Sequence, residues 1–275
     1  MTRLDPAAYL ERIGVDPASV DLGTVASGGA DRETLERLQR AHVTSVPFET
    51  LAVAGDPFGE RDGEGVSRTY PDLYEKIVER ERGGFCYELN GLFGWLLAEL
   101  GYDPDRVAAM VLGDDGEGRP PANHLAHVVD LDRRYLVDAG LGVPSMRRPL
   151  PLDGETRTDA AGVDWRVVES DRPDADFLTR FREPRDESWS DRYVFRDRHR
   201  EREYFAATCE YLATAPESPF TDEPVVARST DRGYAKLSPD SLTRVVDGEE
   251  RERSVDPEEW HDLLASEFGI AYGPD

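Results

Sequence analysis

The stretch RGGFCYELN, Arg82 to Asn90, sets a single cysteine where a glycine break meets an apolar helix. Beyond Gly83-Gly84, apolar residues recur at Phe85, Leu89, Leu92, Phe93, Leu96, Leu97 and Leu100, the period of an α-helix, and Gly101 supplies its stop. Cys86 therefore stands at a helix start, where backbone N–H groups and the helix dipole favour a thiolate. Upstream, Asp31 caps a helix that carries Leu35 and Leu38 and ends at Val46-Pro47. Pro71 opens another with Leu73 and Ile77 on one face.

Downstream the texture changes. Short β-type runs follow one another at Arg106–Leu112, Leu125–Leu131, Arg134–Ala139, Trp165–Val168 and Tyr193–Phe195, and the acidic, glycine-rich stretch Gly113–Gly118 reads as a loop. The last third holds strands at Val225–Ser229, Tyr234–Leu237 and Leu242–Val246. A final helix there is framed by Asp256, Pro257, Glu259 and Gly269. Helices first, strands next and a mixed closing part imply an α+β architecture.

Composition excludes several functions. Lys+Arg total 33 against 57 Asp+Glu, a net charge of −24 that argues against nucleic acid or an anionic membrane surface as a partner. Only Lys76 and Lys236 are lysines, and an acid-rich, lysine-poor chain reads as salt-adapted, because concentrated salt screens the self-repulsion. No apolar run reaches the length of a membrane span, and Met1–Gly14 has acids where an export signal needs apolar residues, so a cytoplasmic location is expected. Cys86 and Cys209 are far apart and form no metal-type cluster; no metal is implied, and both are expected as free thiols.

The motif RGGFCYELN, followed by Asn123-His124-Leu125-Ala126 and by LVDAGLG at Leu136–Gly142, resembles the arylamine N-acetyltransferase family. The likeness extends to Leu35–Leu51, with its Pro-Phe-Glu segment, and to Ala213–Phe220 and Gly233–Leu237. It implies a cysteine-protease-like fold: a helical bundle (1–102) carrying the nucleophile, a β-barrel (103–205) carrying His and Asp, and an α/β lid (206–275). It further implies a ping-pong acyltransferase with a Cys-His-Asp triad of Cys86, a histidine and Asp138. The donor would be acetyl-coenzyme A as co-substrate, with no permanently bound cofactor, and the acceptor an aromatic amine or hydrazine. Phe48, Gly140 and Leu141 are implied at the substrate pocket, Ser218 and Phe220 near coenzyme A, and Glu49 with Arg82 as a structural ion pair. Ala139 and Leu141 stand where the family has Val and Phe in Asp-Val-Gly-Phe-Gly, which removes an aromatic from the pocket wall.

Two histidines compete for the triad. His124 and His127 lie three residues apart on one strand and so face opposite sides. An even-length turn around Asp132-Arg133 pairs Asp138 with His127; an odd-length turn pairs it with Val128, on the face of His124. The residues leave that register open; the resemblance favours His124, with His127 as a core histidine held by a local hydrogen bond. His42, His199, His261 and Cys209 read as packing or surface residues. The run RDRHRERE, Arg196–Glu203, reads as a solvated face, with Arg198 and Arg200 as possible contacts for coenzyme A phosphates. The alternatives to acetyl transfer are an amide synthase of the same family, a hydrolase using the same triad, and a catalytically silent scaffold that binds without turnover.

Overall fold

The computed structural model describes residues 4–20, 31–113 and 119–273; residues 114–118 of the expected acidic loop lie outside them. The first part contains α1 (Pro6–Arg12), α2 (Arg32–Ser45), the two-residue strand β1 (Phe48–Glu49), and the short helices α3 (Leu51–Ala54) and α4 (Tyr70–Tyr74). It closes with α5 (Cys86–Glu99). The Asp31 carboxylate accepts from the Thr34 N–H at 2.8 Å, the expected cap of α2. The helix begun at Pro71 continues past Tyr74 as a π-type turn, Glu75–Glu79, and Gly101 ends the α5 region with φ at +85°. Leu10, Leu35, Leu38, Ile77, Leu92 and Leu96 are buried together as the core of this bundle.

An antiparallel eight-stranded sheet follows, made of β2 (Pro104–Val111), β3 (His124–Asp130), β4 (Arg134–Val137), β5 (Leu150–Pro151), β6 (Arg157–Thr158), β7 (Asp164–Glu169), β8 (Phe177–Arg182) and β9 (Ser190–His199). Its order is β5-β4-β3-β2-β9-β8-β7-β6, and it curls until β5 packs against β7, enclosing Val107, Ala126, Leu136, Trp165, Val167 and Phe195. The sequence reading lacked the two-residue strands β5 and β6, and two longer stretches also differ from it. β8 was not anticipated, because its inward position Thr179 is polar although fully buried. β9 runs on through Arg196–His199, so half of the charged run is strand.

The closing part has α6 (Ala206–Thr214), β10 (Val226–Thr230), β11 (Gly233–Leu237), β12 (Ser241–Val246), β13 (Glu249–Ser254) and α7 (Pro257–Phe268). β1 joins these strands in the order β1-β10-β11-β12-β13, so a segment from the helical part borders the second sheet. β13 reads EERERS and is exposed throughout; backbone pairing to β12, not a buried face, makes it a strand, and hydrophobic periodicity could not reveal it. A fourth cluster, Phe85, Cys86, Tyr87, Ala122, Leu125, Phe205, Cys209 and Leu212, joins α5, the barrel and α6. The nucleophile candidate sits in this junction. Among the described residues no helix is long and apolar enough to cross a membrane.

Candidate active site

Cys86 is the first residue of α5, and two sets of contacts fix that helix end. On the scaffold side Glu88 accepts from the Phe85 N–H at 3.1 Å and pairs with Lys76 at 2.9 Å. Lys76 and Arg82 both reach Glu49, at 3.3 and 2.8 Å, and Arg82 also meets Glu64 at 3.0 Å. The Glu49–Arg82 pair is therefore present, inside a larger buried network that pattern reading had not assembled. Burial alone would push the Glu49 carboxyl up, but the two cations outweigh it and hold it at about 2. On the reactive side the Cys86 thiol lies 3.6 Å from the Asn123 carbonyl. The Tyr87 hydroxyl donates to the carbonyl of Ala122 at 2.5 Å; Ala122 itself has φ at +58°, a conformation unfavourable for any residue with a side chain.

The β3–β4 hairpin brings one of the two histidines to Asp138. His127 pairs with Val137 and Asp130 with Arg134, leaving a three-residue turn, Leu131–Arg133. The turn is odd, as one expected alternative required, although the register carries Asp138 two residues past Val128, level with Ala126. Asp138 thus falls on the face of His124, and His124 Nε2 lies 2.6 Å from Asp138 Oδ2. That oxygen also accepts from the Tyr193 hydroxyl at 3.0 Å, while Oδ1 accepts from Asn90 Nδ2 at 2.9 Å and the Gly140 N–H at 3.0 Å. Burial would raise the Asp138 carboxyl, yet His124, Asn90 and the Gly140 N–H together hold it below the usual carboxylate range. The ring of Tyr193 packs 5.2 Å from that of His124.

Asn90 and Tyr193 are the residues the sequence reading left without a role. Asn90 lies one turn after Cys86 on the same helix, a spacing visible in the motif, and it bonds Asp138, the Leu125 carbonyl and the Ala139 N–H at once. Tyr193 comes from β9 and gives no local signal.

Cys86, His124, Phe48, Gly140, Leu141 and Phe220 all line one cavity of about 260 Å³. A side chain on Gly140 would come within 2.9 Å of the Cys86 backbone, so glycine is what allows the segment after Asp138 to lie against Cys86. Ser218 does not line this cavity: its hydroxyl donates to the Leu212 carbonyl at 2.6 Å and ties the loop after α6. Arg198 and Arg200 are also elsewhere, Arg200 stacking on Tyr204 at 4.4 Å. Cys209 is buried in the junction cluster. His127 faces the helical bundle, fully buried, but its Nδ1 has no hydrogen-bond partner among the described residues, contrary to the expected local bond.

Burial opposes the thiolate expected at this helix end. Burial pushes the thiol well above its ordinary value, Cys209 and Asp138 add to the effect, and the single N–H of Tyr87 only partly opposes it. With Nε2 committed to Asp138, His124 Nδ1 is the ring nitrogen left to take a proton.

A sequence model of the N-acetyltransferase family matches residues 31–273. The arylamine N-acetyltransferase of Mycolicibacterium smegmatis is 30% identical over 98% of this chain and 93% of its own length. The chain belongs to the arylamine N-acetyltransferase family. Membership makes it an acetyl-transfer enzyme, and solved relatives of this family share its cysteine-protease-like fold. The Mycobacterium abscessus arylamine N-acetyltransferase superposes with a TM-score of 0.82 at 28% identity, covering 98% of this chain and 91% of that one. A Bacillus cereus arylamine N-acetyltransferase, 24% identical, superposes with a TM-score of 0.83 over 98% of this chain and 99% of that one.

Proposed function

We propose that this chain transfers an acetyl group from acetyl-coenzyme A to the nitrogen of an arylamine or hydrazine, through a covalent acetyl-Cys86 intermediate. The observation that carries the reading is the 2.6 Å contact between His124 Nε2 and Asp138 Oδ2, in a cavity that Cys86 and His124 share. Asp138 fixes the imidazole tautomer and leaves Nδ1 as the base.

The Cys86 thiol proton passes to Nδ1 as the sulfur attacks the thioester carbonyl; the imidazolium formed is stabilised by ionised Asp138. Collapse of the tetrahedral adduct breaks the bond to the coenzyme A sulfur, which leaves with the proton from His124. The amine then attacks acetyl-Cys86, gives a proton to His124, and departs as the amide while the thiol is restored. No metal and no permanently bound cofactor take part in this scheme.

Intact mass after brief exposure to acetyl-coenzyme A tests it. A single acetyl adduct is expected, absent in Cys86→Ala and discharged by an arylamine; a folded wild type that gains no adduct from acetyl-coenzyme A refutes the reading. Three further expectations belong with it: division at residues 102 and 205, a cytoplasmic site of action, and adaptation of the −24 surface to salt. A melting temperature that fell on adding KCl would contradict the last.

A further inference from the structure

A small pocket beside Tyr87 and Gly91 of α5 shares no residue with the cavity that Cys86 lines. Arg68, Arg106 and Arg202 converge on it around the ring of Tyr70, and Leu125 and Phe205 supply its apolar wall. Arg106 Nη2 donates to the Tyr70 hydroxyl at 3.2 Å, and the Arg202 guanidinium stands 5.1 Å from the centre of that ring. Arg68 and Arg202 each donate to the other's backbone carbonyl, at 2.9 and 3.4 Å. Arg68 belongs to the segment before α4, Arg106 to β2 and Arg202 to the single turn before α6, so three separate parts of the chain bring positive charge to one point.

No carboxylate lines the pocket, although the chain carries a net charge of −24. Among the described residues neither Arg68 nor Arg106 has an ion-pair partner. Asp72 and Asp105, close to them in the chain, bond instead to Ser67 and Thr69 and to His199. Arg202 meets only the exposed Glu203, at 3.7 Å. The Tyr70 hydroxyl accepts from Arg106 and has no acceptor for its own proton among the described residues, while the Tyr87 hydroxyl is engaged by the Ala122 carbonyl. None of the unpaired N–H groups of the three arginines is buried, so they stay open to a ligand.

Every free polar side-chain group on the lining is therefore a donor. A water there would find no side-chain acceptor for its own hydrogens, whereas an anion satisfies all the donors and the charge together. Size narrows the class further. The pocket holds about 10 Å³, close to the space one water needs and too little for a phosphate or a carboxylate. The groove that adjoins it through Arg68 and Arg202 is far larger, about 860 Å³, but Glu203 and Glu210 line it and repel a polyanion.

We propose that this pocket binds one monatomic anion, chloride, held by Arg68, Arg106, Arg202 and the Tyr70 hydroxyl. The ion ties the segment before α4 and the turn before α6 to β2, and so braces the junction in which Tyr87 stands next to Cys86. It is a structural ligand and not a reactant, and its binding does not depend on the acyl-transfer reading. Because the unfolded chain has no such pocket, occupancy stabilises the fold by mass action.

Thermal unfolding in mixtures of sodium chloride and sodium gluconate tests this, at one sodium concentration and one ionic strength so that screening is constant. As chloride replaces gluconate the melting temperature should rise by about 4 °C and then level off, as a filled site requires. Bromide should act as chloride does, and a crystal soaked in bromide should show its anomalous signal between the three guanidinium groups. Tyr70→Phe keeps the ring beside Arg202 and removes one donor, which should weaken chloride binding by about tenfold. Arg68→Gln, at a partly exposed position, should weaken it at least as much. Melting of each variant in gluconate alone reports any loss of folding separately from loss of the ion. Identical melting in chloride and gluconate, with no bromide at the pocket, overturns the proposal, and so does a chloride response that survives both substitutions unchanged. A response to phosphate with none to chloride also overturns it, since that places a larger anion in the adjoining groove.

Discussion

The two faces of β3 present histidines three residues apart to opposite environments. His124 looks into the barrel, where Asp138, Tyr193 and Asn90 supply a polar shell; His127 looks into the helical bundle and lies against Gly94 of α5. Burial, followed by Arg106, pushes the His127 imidazole down to about 3, so it is neutral at any physiological pH. Burial is shared by both faces, and what separates them is a carboxylate within reach. A buried imidazole without one is a packing element, whereas one beside a carboxylate has its ring held by a hydrogen bond.

Exchanging the two roles by mutation gives the largest expected effect. His124→Ala should slow formation of the acetyl adduct by about 10³-fold or more, the scale of a lost general base, while His127→Leu should stay within a few-fold of wild type. Stopped-flow release of coenzyme A measures both, and comparable losses at the two positions would break the comparison. Asp138→Asn should cost about 10²- to 10³-fold, since the amide removes the charge that stabilises the imidazolium and presents an N–H where Nε2–H points.

On the bundle face the effects are on stability. A methyl group on Gly94 would collide with the His127 imidazole, so Gly94→Ala should lower stability by about 1–3 kcal/mol in a denaturant titration. Pairing it with His127→Ala should recover most of that loss.

The pH dependence sharpens the contrast further. His127 and His42, the latter also buried and lowered to about 3, bind a proton in the unfolded chain near 6.5 but not in the folded one. Each therefore contributes stability that is complete above 6.5 and is lost as pH falls toward 3, about 2 kcal/mol each by pH 5. Melting temperature should drop over that range, and His127→Leu should remove about half of the slope. The smallest effect is expected from Tyr193→Phe, which deletes one of the bonds to Asp138 and should lower kcat/KM by about tenfold or less. No change at all would mean that His124, Asn90 and the Gly140 N–H hold the carboxylate without it.

How much of this was legible in the chain varies by region. Apolar residues at the helical period announced α5, and Asp31, Pro257 and Gly269 announced where helices begin and end, because caps and periodicity act within a few residues. β8 and β13 were not legible: one hides a polar residue in the core and the other has no buried face, so partners distant in sequence define both. Cys86 and Asp138 were found from their motifs, but Asn90 was passed over although it lies one turn from Cys86, and Tyr193 arrives from a strand 55 residues beyond Asp138.

The sequence by itself determined the family and singled out Cys86 and two histidines as candidates for its chemistry, since each is carried by a contiguous motif. Tertiary structure decided which histidine meets Asp138. A two-fold alternation along a strand says only that His124 and His127 face apart; which face meets Asp138 depends on the length of the Leu131–Arg133 turn, and that is a property of paired strands.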